Sequence, residues 1–214
     1  MSGALVLLSG GMDSAVCLYQ AAADLGGASV SAVFFDWGQR SLPEERRAAR
    51  SLCAAAGVAR PVSVELDFPY EGPLTSALSE MPLDRSPSGI KAGVASTFFP
   101  GRNLVMLSYA FGIAASMDIG SIYFGPNADD AAGFPDCREE CLRALEVACR
   151  LGVDKDIDLV LPVIGMSKLQ IVEAGETLGV PWELTFSCYA PVEGGACGRC
   201  DACVLREDAF GGPR

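Results

Sequence analysis

Two short stretches of the 214-residue chain hold the residue types that chemistry needs. The first is Leu8-Ser9-Gly10-Gly11-Met12-Asp13-Ser14, which ends the apolar run from Ala4 and precedes a helical pattern. Paired glycines let a chain turn tightly and bring backbone N–H groups up to a ligand with no Cβ in the way. Asp13 or Ser14 can cap the helix that starts there, and the free amides and positive dipole end of a helix suit an anion. Strand, glycine turn and hydroxyl-flanked helix start together make a phosphate cradle, against the alternative of a serine-rich turn that binds nothing. The stretch is neither a Walker loop (Gly-x4-Gly-Lys-Ser/Thr), which occurs nowhere in the chain, nor the dinucleotide Gly-x-Gly-x-x-Gly.

The second stretch is Cys188-x8-Cys197-x2-Cys200-x2-Cys203. Four thiolates so spaced share a tetrahedral soft site and leave no coordination position open, which reads as structural zinc. Iron–sulfur ligation uses the same spacing and is the rival, with free thiols third. Cys17, Cys53, Cys137, Cys141 and Cys149 fall in helical patterns, and most of them read as small buried apolar residues. The chain has no histidine, so any general base or metal ligand must come from other groups.

The elements that must position these groups alternate. Strands are expected at Ala4–Leu8, Val30–Asp36, Pro61–Leu66, Ser121–Gly125 and Leu159–Val163. Helices are expected from Asp13 to Leu25, from Ser41 to Ala56, from Asn103 to Met117, from Asp136 to Leu151 and from Ser167 to Leu178. The Asn103–Met117 helix is apolar almost all round and reads as buried, in a core or an interface. Such alternation predicts an α/β fold, a Rossmann-like parallel sheet flanked by helices. Ligands of such sheets sit beyond the carboxyl ends of the strands, where the loops at Ser9, Asp36 and Gly125 can meet. Residues 67–97 break the pattern with recurring Pro, Gly and Ser, and read as a lid or substrate loop, with a plain surface loop as the alternative.

Half of the residues are hydrophobic, yet no run approaches the ~20 apolar residues that span a bilayer. A net charge of −11 without a basic run argues against nucleic-acid partners. Met1-Ser-Gly lacks the pattern of a secretory signal, and nine cysteines without such a leader are not expected to form disulfides, so the expected location is cytoplasmic.

Ser9-Gly-Gly-Met-Asp-Ser14 resembles the SGGxDS signature of the PP-loop ATP pyrophosphatases. With Gly38-Gln-Arg40, Pro100-Gly-Arg-Asn103, Gly133-Phe-Pro-Asp-Cys-Arg138, Ser167-Lys168, Ser187-Cys-Tyr189 and the four cysteines through Leu205-Arg206, the chain resembles the 7-cyano-7-deazaguanine synthase (QueC) family from about Ala4 to Phe210. The resemblance implies an adenine nucleotide alpha hydrolase-like fold, with an ATP-binding domain over 1–186 and a zinc segment over 187–214 packed on it. It implies an ATP-dependent C–N ligase that turns 7-carboxy-7-deazaguanine and ammonia into a nitrile, with ATP, Mg²⁺ and Zn²⁺ as cofactors and a homo-oligomer, a dimer, as the assembly. Ser9, Asp13, Ser14, Arg102 and Lys168 would be the catalytic residues. ATP would be held by Leu8, Ser9, Gly10, Gly11, Met12, Asp13, Ser14, Asp36, Gln39, Arg102 and Asn103. Asp130, Phe134, Asp136 and Arg138 would face the substrate, and Cys188, Cys197, Cys200 and Cys203 would bind the metal.

The family's pattern has histidine where Ser41 stands, tyrosine at Phe134 and more polar residues at Ala131-Ala132. A different carboxylate or amine acceptor, a tRNA-modifying enzyme, and a non-catalytic nucleotide-binding module are the alternatives.

Overall fold

The first apolar run forms β1 (Ala4–Leu7), buried along its whole length at the centre of a five-stranded parallel sheet. The computed structural model describes residues 3–76, 79–90, 95–193 and 195–211. To one side of β1 lie β2 (Val30–Asp36) and β3 (Val62–Glu65), and to the other β4 (Ser121–Tyr123) and β5 (Asp158–Val160). The order β3-β2-β1-β4-β5 reverses direction beside β1, and the crevice at such a reversal is where ligands of open α/β sheets bind. β3 is an edge strand with exposed side chains, which accounts for its weak apolar pattern.

Side chains alternate across the sheet with the period of two expected of a strand. Ala4, Val6 and Leu8 face a core completed by α1 (Met12–Leu25), α2 (Leu42–Ala55) and α7 (Lys168–Leu178). Leu5 and Leu7 face the opposite core, built by α4 (Arg102–Ser116) and α6 (Glu139–Val153). The remaining helices, α3 (Pro87–Ile90), α5 (Ala128–Gly133) and α8 (Asp201–Ala209), surround the carboxyl end of the sheet or the cysteine segment.

Three expectations need correction. Neither Asp13 nor Ser14 caps α1; its N-cap is Gly11, with no side-chain cap. The helix expected from Asp136 starts at Glu139, because Pro135–Cys137 form a separate 3-10 turn. There Asp136 Oδ2 accepts from the Asn103 amide at 3.1 Å and so caps α4 rather than its own helix. Finally, α4 is not buried all round: Val105 and Tyr109 are exposed on its outer face. Of the five other cysteines Cys17, Cys53 and Cys137 are buried, whereas Cys141 and Cys149 are only half-buried.

One close approach fixes the frame around the nucleotide loop. Gly175 on α7 lies against Val16 of α1, and a Cβ there would stand 2.2 Å from the Trp182 ring. Gly175→Ala is therefore expected to cost about 1–3 kcal/mol through overpacking, read as a lower urea midpoint at unchanged slope.

Candidate active site

At the carboxyl end of β1 the chain turns through Ser9-Gly10-Gly11 into α1, on the floor of a cavity of about 290 Å³. Gly10 has φ +89°, and a Cβ on it would meet Ala48 Cβ and Glu45 O at 2.8 Å, so only glycine closes this turn against α2. Ser9 Oγ lies 3.1 Å from Ser14 Oγ and accepts from the Gly11 amide, while Ser14 Oγ donates to Gly11 O. With no side chain capping α1, its first amides remain available to an anion, helped by the positive end of the helix.

Asp13 does not stand free. Lys168, the first residue of α7, brings Nζ to 2.6 and 2.9 Å from its two carboxylate oxygens across 155 positions of sequence. The Ser167–Gln170 capping box fixes the start of α7 and thereby aims Lys168. Asp130, itself in a capping box with the fully buried Asn127, is the second carboxylate of this group. Burial pushes the Asp130 carboxyl up to about 6, against the pull of Lys168. Burial also opposes the charge on Lys168, but Asp13 and Asp130 outweigh it and raise its pKa.

Opposite them, the Arg102 guanidinium stacks on the Trp37 ring at 4.7 Å and donates from Nε to Asn103 Oδ1. Gln39 is buried and bridges Phe35 O and Glu45. Burial raises the Glu45 pKa, although Ser41 and Gln39 hydrogen-bond to it. Ser41 is buried as well, and its hydroxyl donates to Glu45 Oε1 at 2.6 Å, so it sits behind the wall rather than in it.

Of the residues singled out from sequence, the cavity brings together Leu8, Ser9, Gly11, Met12, Asp13 and Ser14 with Gln39, Arg102, Asn103, Asp130, Phe134 and Lys168. Gly10, Asp36, Asp136 and Arg138 lie outside its wall. Asp36 pairs with Arg46 at 2.5 Å, Asp136 is turned back to α4, and Arg138 is exposed and donates to Ala131 O. The wall also includes residues to which the sequence reading gave no site role: Glu45, Tyr189, Asp201 and Arg206. One signal was legible for Arg206, which follows Cys203 by three positions and so shares a helix face with a ligand of the proposed metal.

The four cysteines converge, with all four sulfurs within 4.8 Å of one another. Cys188 and Cys200 are 3.9 Å apart and Cys197 and Cys203 4.0 Å, close to the ~3.8 Å edge of a tetrahedron with metal–sulfur bonds of about 2.3 Å. Amides of Tyr189, Cys197, Arg199 and Cys200 donate to these sulfurs, as they do to thiolates. The group can therefore hold a metal.

The described part of the 67–97 segment is tied to these cysteines. Leu83 bridges to Cys200, Asp84 pairs with Arg199, and Arg85 Nε donates to the buried Asp201 at 3.0 Å. From there Ile90, Ala95 and Thr97 reach the cavity, as does Leu74 before them. Residues 77–78 and 91–94 of the expected lid fall outside the described residues.

Comparison with solved structures shows the same fold: NMN synthetase from Francisella tularensis superposes with a TM-score of 0.50 at 15% identity, over 99% of this chain and 73% of that one. The U34-tRNA thiolase NcsA from Methanococcus maripaludis, with its 4Fe–4S cluster, gives 0.50 at 15% over 97% and 64%. Sequence relatives are much nearer. The 7-cyano-7-deazaguanine synthases of Leptospira interrogans, Nostoc punctiforme and Anaeromyxobacter dehalogenans are 41%, 39% and 42% identical over 97% of this chain. The matches span 86%, 94% and 90% of those proteins, respectively. The family described as "Queuosine biosynthesis protein QueC" matches residues 3–212, and with relatives this similar over nearly the whole length the chain belongs to that family.

Proposed function

We propose that this protein is an ATP-dependent ligase that converts 7-carboxy-7-deazaguanine and ammonia into 7-cyano-7-deazaguanine. The observation that carries this reading is the cavity at the sheet's reversal point, with a glycine turn and an uncapped helix at one end and aromatic residues and Arg102 at the other. Relatives bearing that synthase's name support the choice of substrate.

A carboxylate is a poor electrophile because its leaving group would be oxide. Attack of the substrate carboxylate on the α-phosphorus of ATP forms an acyl adenylate and releases pyrophosphate. Ammonia then displaces AMP and gives the amide, with loss of a proton. A second ATP takes the amide oxygen, with release of pyrophosphate and one proton from nitrogen, and loss of AMP and the second proton leaves the nitrile. Catalysis of this kind is largely positioning and charge neutralisation. The first amides of α1 and the hydroxyls of Ser9 and Ser14 would hold the pyrophosphate, and Arg102 and Lys168 would meet the phosphates. Without histidine in the chain, Asp130 is the carboxylate best placed to accept a proton near neutrality.

Asp13, with hard oxygen donors facing the phosphate floor, would hold Mg²⁺, which neutralises phosphate charge. Cys188, Cys197, Cys200 and Cys203 would hold zinc as a structural ion. Asp36, Asp136 and Arg138 would serve as supports rather than contacts, given their places outside the wall. We further infer an ATP-binding unit through residue 186 with a metal-stapled segment after it, a cytoplasmic homodimer, and no nucleic-acid partner. Among the described residues no helix is long and apolar enough to cross a membrane.

The test is incubation with ATP, Mg²⁺, ammonia and the 7-carboxy substrate, with pyrophosphate release and product mass followed together. The nitrile and pyrophosphate are the expected products; silence in both assays sinks the ligase reading. Pyrophosphate without nitrile moves the assignment to a different carboxylate or amine. Phe134 motivates that second reading: it lies in the wall, edge-on to Phe98 at 6.3 Å, and offers no polar group there.

A further inference from the structure

Three cations line the cavity among the described residues: Arg102, Lys168 and Arg206. Lys168 is committed to Asp13, and Arg102 lies against Trp37 on the far side. Arg206 differs from both. It projects from α8, the helix that carries Cys203 and whose N-cap is Cys200. Its Nη1 donates to Thr185 Oγ1 at 2.7 Å and Ser187 Oγ at 3.3 Å, and its Nη2 to Trp182 O at 2.9 Å. Phe186, between those two hydroxyl residues, donates its amide to Gly10 O at 2.8 Å. The guanidinium is thus strapped to the segment that runs hydrogen-bonded alongside the glycine turn.

Its hydrogen-bond partners are neutral. Among the described residues no carboxylate lies within ion-pair distance of Arg206, and its flank is covered by the Phe210 ring at 5.3 Å. A partly buried guanidinium with only hydroxyl and carbonyl acceptors keeps its charge at a cost, which burial shows by lowering its pKa. The three bonds it makes use both Nη1 hydrogens and one on Nη2. The Nε hydrogen and one on Nη2 are left to donate to the oxygens of an anion.

We propose that Arg206 is a binding residue for the leaving pyrophosphate, supplied to the lysine-free glycine turn by the cysteine segment. This deepens the ligase reading and rests on it for the identity of the anion. The metal-stapled tail then delivers a phosphate ligand as well as closing the fold.

The probe is magnesium pyrophosphate itself, titrated calorimetrically into wild type, Arg206→Lys and Arg206→Gln. Far-ultraviolet dichroism and metal content are checked first. Arg206→Gln is expected to weaken pyrophosphate binding by about tenfold or more, with Arg206→Lys between it and wild type. Binding of the 7-carboxy substrate alone should stay unchanged. Equal pyrophosphate affinity in folded, metal-replete variants overturns the proposal. Should neither variant fold, the wild-type protein decides: phenylglyoxal should modify Arg206, and pyrophosphate should slow that adduct severalfold in peptide mass spectra. An Arg206 that pyrophosphate does not protect, or that the reagent never reaches, overturns it equally. A protein that binds pyrophosphate through Arg206 yet makes no nitrile would sink the substrate assignment and leave this inference standing.

Discussion

Exchanging Asp13 for asparagine is expected to slow ATP–pyrophosphate exchange by about 10²–10³-fold, and exchanging Lys168 for glutamine to slow it comparably. The reason is that the two side chains are one unit. Asp13, Asp130 and Lys168 share the end of the cavity proposed to take phosphate, two carboxylates with one ammonium, and Asp13 holds Lys168 at 2.6 Å. An incoming polyphosphate needs that ammonium redirected and that carboxylate partnered by a cation, so loss of either member removes both services. The double variant is accordingly expected to be no slower than the slower single one, which is how residues acting together behave. Stability should separate the two. Lys168→Gln leaves two carboxylates facing each other, whereas Asp13→Asn leaves Lys168 the partner Asp130. With side chains 18% and 23% exposed, the pair is only partly shielded, so the lysine variant should lose about 1–3 kcal/mol and the aspartate variant less. A Lys168→Gln protein that still exchanges pyrophosphate at the wild-type rate would reduce Lys168 to a structural counter-ion.

That pairing was out of reach of the sequence, and the reason is general. The glycine turn and the cysteine spacing were legible because each is local, and a few consecutive residues fix the chemistry. The sheet was legible because β1 is apolar throughout and only a central parallel strand can bury both faces. What joins Asp13 to Lys168, or Arg85 to Asp201, is the order in which strands and helices stack, and no window of sequence contains it. Asp136 shows the same limit from the other side. The helical pattern begins at its position, but Pro135 turns the chain first and sends the carboxylate to α4. Ser41 drops its apparent importance for a similar reason. Ser41, which the resemblance set in place of a histidine, lies behind the wall, so it supports Glu45 and does not line the cavity.

Stripping the proposed metal from the four cysteines, by chelator or by Cys200→Ser, is expected to abolish adenylation while leaving the central sheet folded. The cysteines converge at a point that three other features need. Leu83 is bridged to Cys200, so the segment from Met81 to Ile90 loses its anchor when Cys200 is freed. Asp201, held by Arg85, follows Cys200 directly, and Arg206 lies one turn beyond Cys203, so the cavity wall loosens with the start of α8. Without metal, thiolates packed within 4.8 Å must either protonate or repel, and a structural site of this kind contributes several kcal/mol of local folding energy. The two sheet-facing cores draw nothing from the cysteines and should persist. Hydrogen exchange read by mass spectrometry is the check. Protection should fall across residues 81–90 and 186–209 and hold in β1, β2 and β4, and metal added back to chelated protein should restore both protection and pyrophosphate exchange. An apo protein with residues 81–90 and α8 still protected would mean that Arg85–Asp201 and Arg199–Asp84 suffice to hold this segment, and that the proposed metal secures only the tail.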